Sequence, residues 1–179
     1  MKLTLREVII CIKNDLPQGR FSIKTFLTNY LFSARFRVLL NYRLGRYFYH
    51  SGNYFLRQLA LRYRYRMITR RGCDISYNAL IGKNLRLPHP IGIVIGDNVE
   101  IKDNVTILQQ VTIGNLGRKN EIKRYPILED GVTIFAGAKI VGGICIGKNS
   151  VIGANSFVNK NIPPNSVAVG VPCQIKTKK

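Results

Sequence analysis

The chain is short of histidine, of paired cysteines, of long apolar runs and of acids, and each shortage removes a class of function. Only two histidines, His50 and His89, occur in 179 residues. One chain therefore cannot assemble a catalytic zinc site from three of them. Its four cysteines (Cys11, Cys73, Cys145 and Cys173) are widely spaced and form no Cys-x-x-Cys pair. A metal or redox motif is absent and no disulfide framework is expected, which reads as four reduced thiols in a cytoplasmic protein. No apolar run approaches the roughly 18–20 residues that span a bilayer. The stretch Val8-Ile9-Ile10-Cys11-Ile12 adjoins Glu7 and lacks a small-residue cleavage site, so no secretory signal is expected. Nine acids face 28 lysines and arginines, a net charge of +19. Residues 1–73 hold 15 basic and 2 acidic side chains (+13), and residues 74–179 hold 13 and 7 (+6). The two parts differ in kind, with the boundary near Gly72.

What the chain does have is a beat of six. Aliphatic residues recur at Ile75, Ile81 and Leu87, then, after a two-residue slip at Ile93-Val94, at Ile95, Ile101, Ile107 and Ile113. A break from Gly114 to Ile127 follows, and Leu128, Ile134, Ile140, Ile146, Ile152 and Val158 keep strict register. Neither a helix nor an alternating strand has that period. It fits one flat face of a triangular parallel β-coil, in which three hexads make a turn and stacked turns bury the aliphatic column. Thirteen hexads make about four turns.

The first 73 residues read as helices. Ser33 can cap a segment running to about His50, with Phe36, Leu39, Leu40, Leu44 and Phe48 close to helical spacing. Ser51-Gly52-Asn53 breaks it, and a second segment from Tyr54 to Arg71 closes at Gly72. Arginines such as Arg43, Arg46, Arg64 and Arg66 interleave there with Tyr42, Tyr47, Tyr63 and Tyr65. A solvated basic face and attachment to an anionic membrane surface both suit this pattern. Nucleic acid suits it less, because no RNP, KH, zinc-finger or helix-turn-helix pattern accompanies the charge. His50, beside Ser51-Gly52, reads as a surface residue.

Three segments carry a resemblance. They are Leu87-Pro88-His89-Pro90-Ile91-Gly92-Ile93-Val94-Ile95-Gly96, Ile107-Leu108-Gln109-Gln110-Val111-Thr112-Ile113-Gly114 and the closing Gly170-Val171-Pro172. Together they resemble the serine acetyltransferase group of hexapeptide-repeat acyltransferases, over roughly residues 33–175 and most strongly over 74–173. The resemblance implies a mainly β fold: a left-handed parallel β-helix of hexapeptide repeats with an α-helical N-terminal region. It also implies a homotrimer, with acetyl-CoA as co-substrate in the groove between neighbouring coils and no metal.

It further implies that His89 is the base that takes the proton of an acceptor hydroxyl. An alcohol is a poor nucleophile until a base removes its proton, and neutral imidazole, with an unperturbed pKa near 6.5, is suited to this at neutral pH. A histidine between prolines is also what a rigid corner looks like. Asp74, in Cys73-Asp74-Ile75, matches the acid that orients the histidine and stabilises its imidazolium. A turn aspartate at the entry to the coil is the other reading. Gly114, Ala136, Gly137, Ala138, Ala154 and Lys160 lie at or near the positions that pack the pantetheine arm and phosphates in the family. Small residues let backbone approach a thin chain, and lysine meets phosphate. The same small residues also suit tight corners of the coil.

Two departures bear on the acceptor. Pro88 stands where the family has Asp, and Arg124-Tyr125-Pro126 where it has Arg-His-Pro. Both missing groups help hold a small zwitterion. The expectation is therefore a saccharide hydroxyl, in capsule, exopolysaccharide or lipopolysaccharide synthesis, with Tyr125 as an aromatic platform and Arg124 beside it. A lipid-linked glycan would suit the basic helices. Serine O-acetylation in cysteine synthesis is the alternative, and a non-catalytic scaffold binding membrane or nucleic acid is the third reading. The organisation expected is a basic helical region (1–73), a coil (74–173) with an inserted loop (115–126) over the acceptor site, and a basic tail (174–179).

Overall fold

A computed structural model describes residues 4–16, 21–117 and 125–177. Four helices come first: α1 (Leu5–Asp15), α2 (Ile23–Phe32), α3 (Ala34–Tyr49) and α4 (Tyr54–Arg71). Each begins on a side chain that accepts from a free N–H of its first turn, namely Thr4, Ser22, Ser33 and Asn53. At Thr4 the Glu7 carboxylate answers with a bond to the cap N–H, closing a capping box. None of the described helices is long and apolar enough to cross a membrane.

From Asp74 onward the chain coils. Its strands are β1 (Asp74–Ile75), β2 (Leu80–Ile81), β3 (Val94–Ile95), β4 (Glu100–Ile101), β5 (Thr106–Ile107), β6 (Thr112–Gly114) and β7 (Ile127–Leu128). They continue as β8 (Thr133–Ile134), β9 (Lys139–Val141), β10 (Cys145–Ile146), β11 (Val151–Ile152), β12 (Phe157–Val158), β13 (Ser166–Val169) and β14 (Gln174–Thr177). Three sheets form the faces, β1-β3-β6-β9-β12, β2-β4-β7-β10 and β5-β8-β11-β13-β14. All pairs are parallel except the last. The hexad residue of each face turns inward, and Ile75, Ile95, Ile113 and Ile140 stack as one fully buried column.

Corners need a residue in the left-handed region, which asparagine tolerates better than most. Asn84, Asn104, Asn149 and Asn165 take it at one corner, with Gly131 between them. Their side chains form a partial ladder, with Asn84 Nδ2 donating to Asn104 Oδ1 at 3.1 Å.

A coil has two open ends where backbone groups lack the next turn. Helix α3 covers the first. Arg43 Nη1 and Nη2 donate to the carbonyls of Ile81 and Gly82 at 2.7 and 2.6 Å. Arg46 Nη1 donates to Tyr77 O and Ala79 O, and the Tyr42 hydroxyl donates to Ala79 O at 2.7 Å. These side chains, expected on an outward basic face, are buried against the coil instead. Buried carbonyls need donors, and an arginine carries five of them. Arg43 also meets Asp15 of α1 (Nε to Oδ2, 2.9 Å), so one guanidinium joins α1, α3 and the coil. Burial pushes the Asp15 carboxyl up, while Arg43 pulls the other way. His50, expected at the surface, is half-buried with Nε2 3.1 Å from Tyr77 O, and burial lowers its pKa.

The other end is closed by β14, which turns back antiparallel on β13, with Ala168 opposite Ile175. Residues 174–177, expected as a tail, are thus a strand, because β13 offered an unpaired edge.

Candidate active site

His89 sits where the third face turns into the first. Six residues, Pro88 to Ile93, span that corner between Leu87 and β3, where four, Leu108 to Val111, suffice one layer on. The two extra residues are the slip in the hexad beat. The excess is folded into a tight turn, in which Ile91 N donates to His89 O at 2.8 Å. Gly92 ties it to both neighbouring layers. Its N–H donates to Gly72 O at 2.7 Å, and its φ of +67° allows an approach in which a Cβ would lie 3.2 Å from Gln110 Cγ. His89 and Pro88 are exposed on this turn. Among the described residues the His89 ring has no hydrogen-bond partner.

Asp74 opens β1 just past the same corner, one layer earlier, with its N–H on Ile93 O at 2.9 Å. Arg64 of α4 holds its carboxylate, with Nε and Nη2 both 2.9 Å from Oδ1. Among the described residues Oδ2 is unengaged. The structure thus brings Asp74 and His89 to one corner without a hydrogen bond between them. Arg64 as the anchor of Asp74 was not foreseen from sequence, where it was one arginine among many. Gln109 was also missed: on the layer above His89, its Oε1 is buried without a partner among the described residues. The motif Leu108-Gln109-Gln110 held the only signal for it.

The residues expected around acetyl-CoA divide between two edges of the first face. Backbone bonds climb the His89 corner from Ile91 to Gln110, from Gln109 to Gly137 and from Ala136 to Asn155. Ala136, Gly137 and Ala154 therefore stand in line above His89. Gly137 has a φ of +74°, and a Cβ there would collide with Asn155 Oδ1, so local packing at this rung favours glycine where the neighbouring rungs hold Gln110 and Asn155. Gly114 and Lys160 lie past the opposite edge of that face. A Cβ on Gly114 would meet nothing within 4 Å among the described residues, and Lys160 is exposed, so both leave room for a ligand. Ala138 does not fit: it is fully buried, its carbonyl accepts from Thr112 N, and its side chain belongs to the core.

Tyr125, expected as an aromatic platform, is half-buried, with part of its side chain packed against the hydrophobic core. Arg124 and most of the inserted loop lie outside the described residues. Among those described, no cluster of three His, Cys, Asp or Glu could hold a metal ion.

A parallel coil of hexads with an exposed corner histidine defines a hexapeptide-repeat transferase, and residues 125–160 match the bacterial transferase hexapeptide (six repeats) family. The serine acetyltransferase of Bacillus pumilus (strain SAFR-032) is 36% identical over 171 residues, covering 96% of this chain and 75% of that protein. The serine acetyltransferase of Buchnera aphidicola subsp. Acyrthosiphon pisum (strain APS) is 38% identical over 154 residues, 86% of this chain and 55% of its own length. The solved serine acetyltransferase of Brucella abortus strain S19, in complex with coenzyme A, superposes with a TM-score of 0.78 at 33% identity, covering 97% of this chain and 66% of that one. The chain belongs to the serine acetyltransferase family, with its left-handed β-helix and N-terminal helices. It spans little more than half the length of the first curated relatives it matches.

These relatives correct the expected acceptor. They are serine acetyltransferases and not polysaccharide O-acetyltransferases, so the saccharide reading falls.

Proposed function

We propose that the chain is an acetyl-CoA-dependent O-acyltransferase that acetylates the hydroxyl of serine. The observation that carries this reading is the placement of His89, an exposed imidazole unbonded among the described residues, on an enlarged coil corner in a chain of this family. His89 takes the hydroxyl proton as the serine oxygen attacks the thioester carbonyl. The tetrahedral intermediate then collapses, the C–S bond breaks, and the imidazolium returns its proton to the departing CoA sulfur. Asp74, with Oδ1 committed to Arg64, offers Oδ2 to the imidazolium and holds the ring's tautomer. Gly114, the backbone of Ala136 and Gly137, Ala154 and Lys160 receive the CoA arm and its phosphates. Arg124, beside Tyr125, supplies a fork for the serine carboxylate.

These groups stand on two edges of one coil. A neighbouring copy set beside the first face would bring one chain's His89 edge to another's Gly114 edge, which supports a homotrimer with the site at the boundary. Use of acetyl-CoA suits a cytoplasmic location.

The chain incubated with acetyl-CoA and L-serine is expected to form O-acetylserine with a kcat/KM of about 10⁴ M⁻¹s⁻¹ or more. Thiol release without O-acetylserine, or no thiol release at all, would overturn the assignment.

A further inference from the structure

Helix α2 buries none of its residues, yet Ile23, Phe26, Leu27, Tyr30, Leu31 and Phe32 make up most of its ten. Phe32 is 83% exposed and Ile23 74%. Only Phe26 leans on the small core of α1 and α3. Beside α2 lies a cavity of about 490 Å³ between α3 and α4, with Tyr30 on its wall. Leu40, Leu44 and Met67 give it an apolar floor. Arg37, Arg66, Arg70 and Arg71 line it as well, and no acid does.

Two of these arginines are held at a cost. Arg37 donates Nη2 to Leu31 O at 2.8 Å, but its Nε is buried without an acceptor among the described residues. Burial, and the charge of Arg37 nearby, pull Arg71 below the ordinary arginine value. An anion seated among them would relieve both penalties.

The occupant follows from charge and apolar area together. A second copy of this face would bring another region of net +13 against the first, and the two would repel. A nucleic acid would satisfy the arginines but leave the apolar side of α2 in water. A bilayer with anionic headgroups takes both, with phosphates for the guanidinium groups and the headgroup–acyl boundary for aliphatic and aromatic side chains. We propose that α2 and the arginine-lined cavity beside it dock the chain on an anionic lipid surface. Ile23, Leu31 and Phe32 enter the boundary, and Arg37, Arg66, Arg70 and Arg71 receive lipid phosphates.

The test is flotation of the full chain with vesicles of phosphatidylcholine alone or mixed equally with phosphatidylglycerol. The chain is expected to float with the mixed vesicles and not with phosphatidylcholine alone. Binding should weaken as salt is raised, because exposed charges are screened within about 10 Å at 0.1 M. The double variant Arg66→Gln, Arg70→Gln should bind about 30-fold more weakly, the equivalent of about 2 kcal/mol at roughly 1 kcal/mol per basic residue. The double variant Ile23→Ser, Phe32→Ser should lose flotation while thiol release from acetyl-CoA is unchanged. Both pairs are exposed, and an unchanged thermal midpoint verifies the fold; if the α2 pair melts early, the arginine pair alone decides. Equal flotation with both vesicle types, no flotation, or variants that float like wild type would overturn the proposal. So would tighter capture by an RNA oligonucleotide that survives the α2 substitutions. A solution mass that halves on those substitutions would give α2 to a second copy and overturn it as well.

Discussion

At the scale of single residues, the site rests on a few side chains whose surroundings differ sharply. His89 stands exposed on its turn, whereas Cys73, two residues before β1's Ile75, is fully buried. Burial, with Asp74 beside it, pushes the Cys73 thiol up to about 12. At pH 8 it therefore carries almost no thiolate, the reactive form. Iodoacetamide applied to the folded chain should leave Cys73 unmodified by mass spectrometry, and urea should expose it. Labelling of Cys73 in native buffer as fast as the half-buried Cys145 would contradict that burial. His89 and Asp74 stand out in the sequence as candidates because each sits in a local motif, and the structure sets both at one corner. The grip of Arg64 on Asp74 was not, since it joins α4 to β1 and nothing in either segment announces it. The acceptor was misread for a related reason. Pro88 and Tyr125 register in a sequence as polar groups lost, and nothing in either segment announces that Tyr125 is half-buried with part of its side chain against the core.

At the scale of elements, the coil was legible and its capping was not. A hexad writes its inward position directly into the sequence, so residue spacing alone marks the buried column. Ile134, fully buried between the β5 and β11 neighbours of β8, is one rung of it. Ile134→Ala should cost about 3 kcal/mol in denaturant unfolding, the usual worth of a large buried aliphatic. A loss of a few tenths would mean the column is loosely packed. The partners of Arg43 and Arg46 are backbone carbonyls, which have no sequence signature, so helix arginines looked solvated. Arg43→Met should destabilise the chain by about 3 kcal/mol or more, because it strands the Asp15 carboxylate and removes the donors to Ile81 and Gly82. A stability within error of wild type would show that α3 does not need this contact to cap the coil.

At the scale of the whole molecule, a capped coil still presents flat faces, and the proposed site is divided between two edges of one of them. Light scattering should give three times the chain mass of 20.3 kDa, and a monomer at micromolar concentration would contradict shared sites. The most direct measurement compares thiol release from acetyl-CoA with L-serine by the intact assembly and by its His89→Ala counterpart. One exposed imidazole contributes little to a coil held by its aliphatic column, so mass, thermal midpoint and CoA binding should be unchanged. Turnover should fall by about 10²–10⁴-fold, the usual worth of a positioned general base. Wild-type turnover in His89→Ala would contradict it.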